Sequence, residues 1–197
     1  MNQPPNYSWT DLICDVRQDI AIYQRFAGEY SAVSDSFVKR LSAFLTPSVI
    51  SVFLFRLSHW CYARHRYRIA LIIAIFNQAL SGVSIAPSSV IGAGLYIPHP
   101  ATSIVFSGYA GNNLCLFAGA AVGPATLTPL FVGEQKLTPR IGNHVSLGAK
   151  SQLRGDITVG DHTKIGFNCV ITDSIKSGAT VVSSHVRNHL EPATPDS

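Results

Sequence analysis

The sequence predicts a mainly β chain: a left-handed parallel β-helix of hexapeptide repeats behind an N-terminal α-helical region. Three observations carry this. Apolar residues recur every six positions from Ile141 through Leu147, Leu153, Val159 and Ile165 to Ile171. The same spacing links Ile85, Ile91 and Ile97, and then, after one extra residue, Ile104, Ala110, Leu116 and Val122. Upstream of Gly82 the apolar spacing is helical instead. A period of six held this long is the mark of a solenoid whose rungs each turn one side chain inward, three rungs to a coil.

The helical region, residues 1–82, begins with TDLICDVRQDIAIYQRF, where Thr10 is the expected N-cap and Ile13, Val16, Ile20 and Tyr23 share a face. A short helix is expected after Ser34, with Asp35 near its positive end. Thr46-Pro47 reads as an N-cap with proline in the first helical turn, opening SVISVFLFRLSHWCYARHR. RIALIIAIFNQAL then ends at Ser81-Gly82. These last two helices are apolar nearly all round, which predicts burial in a subunit interface, with contact to a membrane surface as the alternative.

The coil occupies residues 83–182. Four residues after each of the last six apolar positions stand Val145, Ser151, Ile157, Thr163, Cys169 and Ile175, mostly small or β-branched. Glycine follows the apolar residue at Gly92, Gly123, Gly142, Gly148, Gly160 and Gly166, where it is expected to relieve strained corner dihedrals. Val122 and Ile141 are nineteen residues apart, so a loop over 123–140 must leave the coil. The tail, 183–197, is rich in proline and serine and is expected to be disordered beyond about residue 190.

Composition narrows the function classes. Apolar residues make up 47% and charged residues 13%, which supplies a core but little solvated surface and predicts an oligomer. A scattered net charge of +4 gives no case for nucleic acid. No Asp or Glu stands between Asp35 and Glu134, a stretch that holds Lys39, Arg40, Arg56, Arg64, Arg66 and Arg68. Most of these cations are expected to snorkel from apolar helices. Cys14, Cys61, Cys115 and Cys169 show no metal-ligand spacing, the start has no signal-peptide pattern, and the longest apolar run is short of the ~20 residues of a span. A cytoplasmic protein with reduced thiols is expected. His144 and His162, one coil apart, should stack at about the strand spacing of ~4.8 Å. No third ligand stands at suitable spacing, so no metal is expected and a metal-dependent hydratase is a weak reading.

The motifs RLSHW, FNQ and SIAPSSVIGAGLYIPH, followed by hexapeptide coils with one protruding loop, resemble the serine O-acetyltransferase family and its relatives that acetylate surface polysaccharides. The resemblance covers roughly residues 10–182. It implies a homotrimer, which can pair into a dimer of trimers through its helices, with acetyl-CoA as co-substrate lying in clefts between neighbouring coils. It also implies that His99, at the end of GLYIPH, takes the proton from an acceptor hydroxyl. Imidazole titrates near pH ~6.5 and can accept a proton at neutral pH.

Several positions depart from the family pattern. The carboxylate expected fifteen residues before the histidine is Ser84, which could hold the imidazole tautomer but brings no charge. The aspartate expected before the histidine is Pro98, and the loop's Arg-His pair is Leu137-Thr138, so Pro98, Thr138 and Arg140 stand on the acceptor side. On the donor side the resemblance places Gly123, Gly148, Ala149, Lys164, Gly166 and Phe167. There Phe167 replaces a small residue, and Pro124 replaces a glycine whose N–H it lacks. The reading that follows is an O-acyltransferase acting on a hydroxyl other than free serine's. The alternative is a hexapeptide scaffold that binds without turnover.

Overall fold

The computed structural model describes residues 7–29, 46–100, 102–124 and 138–183. Among the described residues three helices come first: α1 (Trp9–Glu29), α2 (Pro47–Ala63) and α3 (Tyr67–Ser81). The α1 start differs from expectation. Ser8, not Thr10, caps it: Ser8 Oγ accepts the Asp11 N–H at 3.1 Å and Asp11 Oδ2 accepts the Ser8 N–H at 2.8 Å. This reciprocal pair satisfies two end groups at once, which Thr10 alone cannot do. Thr46 caps α2 by accepting the Val49 N–H at 3.4 Å, and α3 stops on Gly82 at φ 71°. The short helix expected after Ser34 and the tail beyond residue 190 lie outside the described residues.

Thirteen short strands follow among the described residues, all paired in parallel: β1 (Val83–Ile85), β2 (Val90–Ile91), β3 (Ile104–Phe106), β4 (Tyr109–Ala110), β5 (Cys115–Leu116), β6 (Ala121–Gly123), β7 (Arg140–Ile141), β8 (Ser146–Leu147), β9 (Gln152–Arg154), β10 (Thr158–Val159), β11 (Lys164–Ile165), β12 (Val170–Ile171) and β13 (Thr180–Val181). They form three sheets that the chain visits in rotation: β1-β3-β6-β9-β12, β2-β4-β7-β10 and β5-β8-β11-β13. Strands inside each sheet pair with the coil on either side, those at its ends with one, and all three sheets contribute to one buried core. The inward column of the first sheet is Ile85, Phe106, Val122, Leu153 and Ile171, and that of the second is Ile91, Ala110, Ile141 and Val159. Each large aliphatic side chain so buried contributes roughly 1.5–3 kcal/mol.

Two expectations about the coil need correction. Phe106, not Ile104, stacks on Ile85; Ile104 pairs with Val83. The turn around His99 lengthens this rung, and β3 faces inward at both ends, so Ile104 and Phe106 are both fully buried. Nor do the repeat glycines relieve strained dihedrals. The left-handed φ falls at other corner residues: Gly94 (85°), Asn113 (59°), His144 (56°), His162 (58°) and Gly178 (75°) along one corner, and Gly119 (70°), Lys150 (58°) and Asn168 (56°) along another. Glycine is needed beside them for closeness: a Cβ on Gly148 would stand 2.7 Å from the Gly166 carbonyl carbon, and one on Gly142 would stand 2.2 Å from Asp161 Oδ1.

Side chains also ladder along the corner between the second and third sheets. Asn112 Oδ1 accepts the Ala93 N–H, Asn143 Oδ1 the Asn112 N–H, and Asp161 Oδ1 the Asn143 N–H at 2.6 Å. His144 and His162 stack beside this ladder with ring centroids 4.8 Å apart, as their spacing predicts.

The first coil has no coil above it, and the helical region takes that place. In later coils, carbonyls such as those of Ala110 and Leu147 point back to accept N–H groups of the coil before, and the Asn113 N–H donates to the Ala93 carbonyl. The matching groups of the first coil are met by helix side chains. Arg56 donates to the Ile91 carbonyl (2.6 Å) and the Gly92 carbonyl (2.8 Å); Asp19 Oδ1 accepts the Gly94 N–H (2.8 Å) and the Leu95 N–H (2.7 Å); Ser48 Oγ donates to the Ile97 carbonyl. Asp19 and Arg56 are themselves joined by two hydrogen bonds, Nε–Oδ2 at 2.9 Å and Nη2–Oδ1 at 3.0 Å. Arg56 is 1% exposed, so it does not snorkel; its partner comes from α1, outside the acid-free stretch. Terminal capping of this kind is what a stacked-repeat fold requires.

Beneath this cap α3 is inverted. Its buried residues are Ala70, Asn77 and Ser81, while Ile69, Leu71, Ile72, Ile75, Phe76 and Leu80 face outward.

Candidate active site

His99 lies in the turn that carries the chain from the third sheet back to the first. Tyr96 bridges Cys115, Ile97 is fully buried, and the chain then bends through Pro98, His99 and Pro100. Proline on either side limits the backbone of this bend. Thr102 Oγ1 donates to the His99 carbonyl at 2.9 Å and the Thr102 N–H donates to the Pro100 carbonyl at 2.7 Å. The imidazole is exposed, and among the described residues no hydrogen bond reaches it. Pro98 is half-buried beside it.

Ser84 is the middle residue of β1, opposite Val105, half-buried and unlinked to His99 by any hydrogen bond among the described residues. Sequence reasoning offered it as the group that holds the imidazole tautomer; no such contact exists here.

Four donor-side residues gather at the corner that the His99 turn also serves. Gly148 packs directly on Gly166, one coil away, and the Asn168 N–H donates to the Ala149 carbonyl, so Gly148, Ala149, Gly166 and Phe167 form a continuous edge. The side chains here are small except that of Phe167, which is 65% exposed and projects from the edge. Lys164, on β11, is exposed on the face of the third sheet.

The remaining residues stand elsewhere. Gly123 ends β6 and pairs with Arg154, with open space where a Cβ would be. Thr138 is buried, and Arg140 on β7 is exposed with its guanidinium 5.7 Å from the Tyr109 ring centroid. These three lie where the chain passes from the first sheet to the second. A single chain therefore separates His99, Gly148, Ala149, Gly166 and Phe167 from Gly123, Thr138 and Arg140.

Sequence reasoning missed the groups that pin the turn: Ser48 before it, Thr102 after it, and the Asp19–Arg56 pair behind it. The acid-free stretch around Arg56 was a usable signal, because a buried guanidinium needs a carboxylate and α1 is the helix that offers one. No cluster of metal-binding side chains occurs among the described residues.

Three stacked parallel sheets under a helical cap define a hexapeptide-repeat protein. Residues 138–173 match the family "Bacterial transferase hexapeptide (six repeats)". The chain is 33% identical over 141 residues to a serine acetyltransferase of Mycobacterium tuberculosis, covering 71% of this chain and 59% of that one. It is 31% identical over 144 residues to a serine acetyltransferase of Helicobacter pylori, covering 73% of this chain and 81% of that one. The chain belongs to the serine acetyltransferase family. Its share of length differs between relatives, little over half of the Mycobacterium tuberculosis protein and about four fifths of the Helicobacter pylori one. Among solved structures, a serine acetyltransferase isoform of Entamoeba histolytica in complex with cysteine superposes with a TM-score of 0.74 at 22% identity, over 92% of this chain and 62% of that one. A serine acetyltransferase in complex with CoA gives a TM-score of 0.73 at 21% identity, over 87% and 67%. These likenesses establish the fold.

Proposed function

We propose that the protein is a CoA-dependent O-acetyltransferase in which His99 takes the proton from an acceptor hydroxyl as it attacks the acetyl thioester. The observation that carries this is the placement of an exposed imidazole on a pinned turn, at the same corner as the small-residue edge Gly148–Ala149–Gly166. Membership of the serine acetyltransferase family supports the chemistry. An exposed histidine is free to receive a hydroxyl proton and to hold it while the thiolate of CoA leaves and is protonated.

The coil is taken to be left-handed, as the hexapeptide match implies. The working form is a homotrimer in the cytoplasm. Two observations support assembly: the outward apolar face of α3, and the separation of the candidate residues onto two corners, which neighbouring copies can bring together. In that arrangement Gly123, Gly148, Ala149, Gly166 and Phe167 border the donor, Lys164 stands near its phosphates, and Pro98, Thr138 and Arg140 face the acceptor. Ser84 holds no tautomer in the free chain.

The acceptor is proposed to be a hydroxyl other than free serine's, on a sugar or a specialised metabolite. Pro98, Leu137 and Thr138 replace the ionic groups that would bind an amino acid. Serine is the second reading, favoured by the name its relatives carry. Thiol release from acetyl-CoA across serine, sugars and sugar oligomers separates them: a sugar should outpace serine, and serine as the fastest acceptor would refute the choice. His99→Ala should lose about 10²–10⁴-fold on the fastest acceptor. Equal rates for wild type and variant would leave the protein a binding scaffold. Sedimentation should give three chains, and a monomer would remove the shared site.

A further inference from the structure

We propose that the helical region sets the position of His99, with Ser48 as the positioning residue nearest to it and the Asp19–Arg56 pair behind it. This rests on the reading of His99 as the base. The path is short. Ser48, in the first turn of α2, gives its hydroxyl to the Ile97 carbonyl. That carbonyl belongs to the Ile97–Pro98 peptide, so the bond fixes the plane from which Pro98 and then His99 extend. Pro98 adds a locked φ, leaving few soft torsions between the anchored peptide and the imidazole. On the far side Thr102 Oγ1 holds the His99 carbonyl at 2.9 Å.

Further back along the rung the control is charged and buried. Arg56 fixes the carbonyls of Ile91 and Gly92, and Asp19 fixes the amides of Gly94 and Leu95. Asp19 is 5% exposed and Arg56 1%. A second cation–carboxylate approach, Arg56 Nη1 to Asp15 Oδ2 at 3.4 Å, ties the same group to the next turn of α1, and Tyr7 donates to that Asp15 oxygen at 2.6 Å. The rung that ends in His99 is thus held at Ile91, Gly92, Gly94, Leu95 and Ile97 by side chains of α1 and α2. With no hydrogen bond on the imidazole among the described residues, the backbone is what aims it.

Ser48 touches neither proposed substrate edge, so removing its hydroxyl should act on turnover and not on donor binding. A displacement near 1 Å is enough to cost catalysis heavily. The test compares Ser48→Ala, Thr102→Val and His99→Ala in the full-length protein. Turnover is measured as thiol release from acetyl-CoA to the fastest acceptor, or to water where no acceptor is faster, together with the His99 backbone amide resonance. Ser48→Ala is expected to lower kcat about tenfold, leave KM for acetyl-CoA within twofold, and shift that resonance. If Ser48→Ala does not fold, Thr102→Val, on an exposed residue, carries the same expectation in the same direction. A kcat within twofold of wild type in the folded variant, or a raised KM with kcat unchanged, overturns the proposal. His99→Ala at wild-type rate would sink the base assignment and this proposal with it. His99→Ala inactive with Ser48→Ala at full kcat would sink only the positioning role.

Discussion

Replacing the buried pair by apolar side chains, Asp19→Leu with Arg56→Met, separates two accounts of what the pair is for. A buried ion pair that serves only itself can be exchanged for hydrophobic groups of similar volume at little or no loss. Here the pair also satisfies four backbone groups of the first coil: the Ile91 and Gly92 carbonyls and the Gly94 and Leu95 N–H groups. Leucine and methionine satisfy none of them. A buried polar group left unpaired costs about 1–3 kcal/mol. Taking the low end for four groups gives about 4 kcal/mol, so the double variant should remain destabilised by about that much. The single change Asp19→Asn should cost about 3 kcal/mol, the low end of the range for a broken buried pair, because Asp15 stays 3.4 Å from the guanidinium. Urea unfolding at fixed protein concentration measures both. Trp9 and Trp60 report on the cap, their rings packed edge to face at 5.3 Å. A double variant within about 1 kcal/mol of wild type would refute the capping argument and leave an ordinary ion pair.

Three further outcomes follow from local geometry. His59 is 5% exposed, and burial holds its imidazole below the usual 6.5 although its Nδ1 lies 2.9 Å from the Pro87 carbonyl. The fold therefore favours the neutral ring, and its contribution to stability should be intact above pH 6.5 and fall away as pH drops through 6.5 towards the lower folded value. Thermal melts of wild type and His59→Gln across that range should converge at the acid end; parallel curves would refute this. Gly148→Ala should destabilise by about 1–3 kcal/mol, since its Cβ would meet backbone atoms of Ile165 and Gly166 at 2.7 Å; an unchanged denaturation midpoint would show that the coils can separate there. Burial pushes the Cys115 thiol up to about 12, while Cys14 is exposed, so iodoacetamide at pH 8 should label Cys14 well before Cys115 in peptide-resolved mass spectra, and the reverse order would contradict the packing.

The coil was legible in the sequence because its rule is local. Leu147, Leu153, Val159 and Ile165 face inward for a reason that a six-residue window contains, and the stacking of His144 on His162 follows from the same count. The rule broke at Ile104, where the His99 turn changes the rung length and two residues of β3 face inward together. It also gave the wrong reason for the glycines, since contact between coils is invisible to a single rung. The cap was beyond reach of any period. Asp19 and Arg56 are 37 positions apart and meet only because α1 and α2 both lie on the edge of the first coil. At the candidate site, His99, Gly148, Ala149 and Gly166 came from the family resemblance, and coil spacing explains only why they fall at one corner. The site was not legible at Ser48, an unremarkable serine in a helix start until the Ile97 carbonyl is seen beside it.

The edge that Arg56, Asp19 and Ser48 cover has a further meaning for the life of the chain in a crowded cell. An uncovered parallel edge offers its hydrogen-bonding groups to any matching strand, including the same rung of another newly made copy. By filling those groups from within, the helices close the first coil's edge against lengthening by a stranger, so loss of the cap should show itself as fibre growth before it shows itself as lost secondary structure.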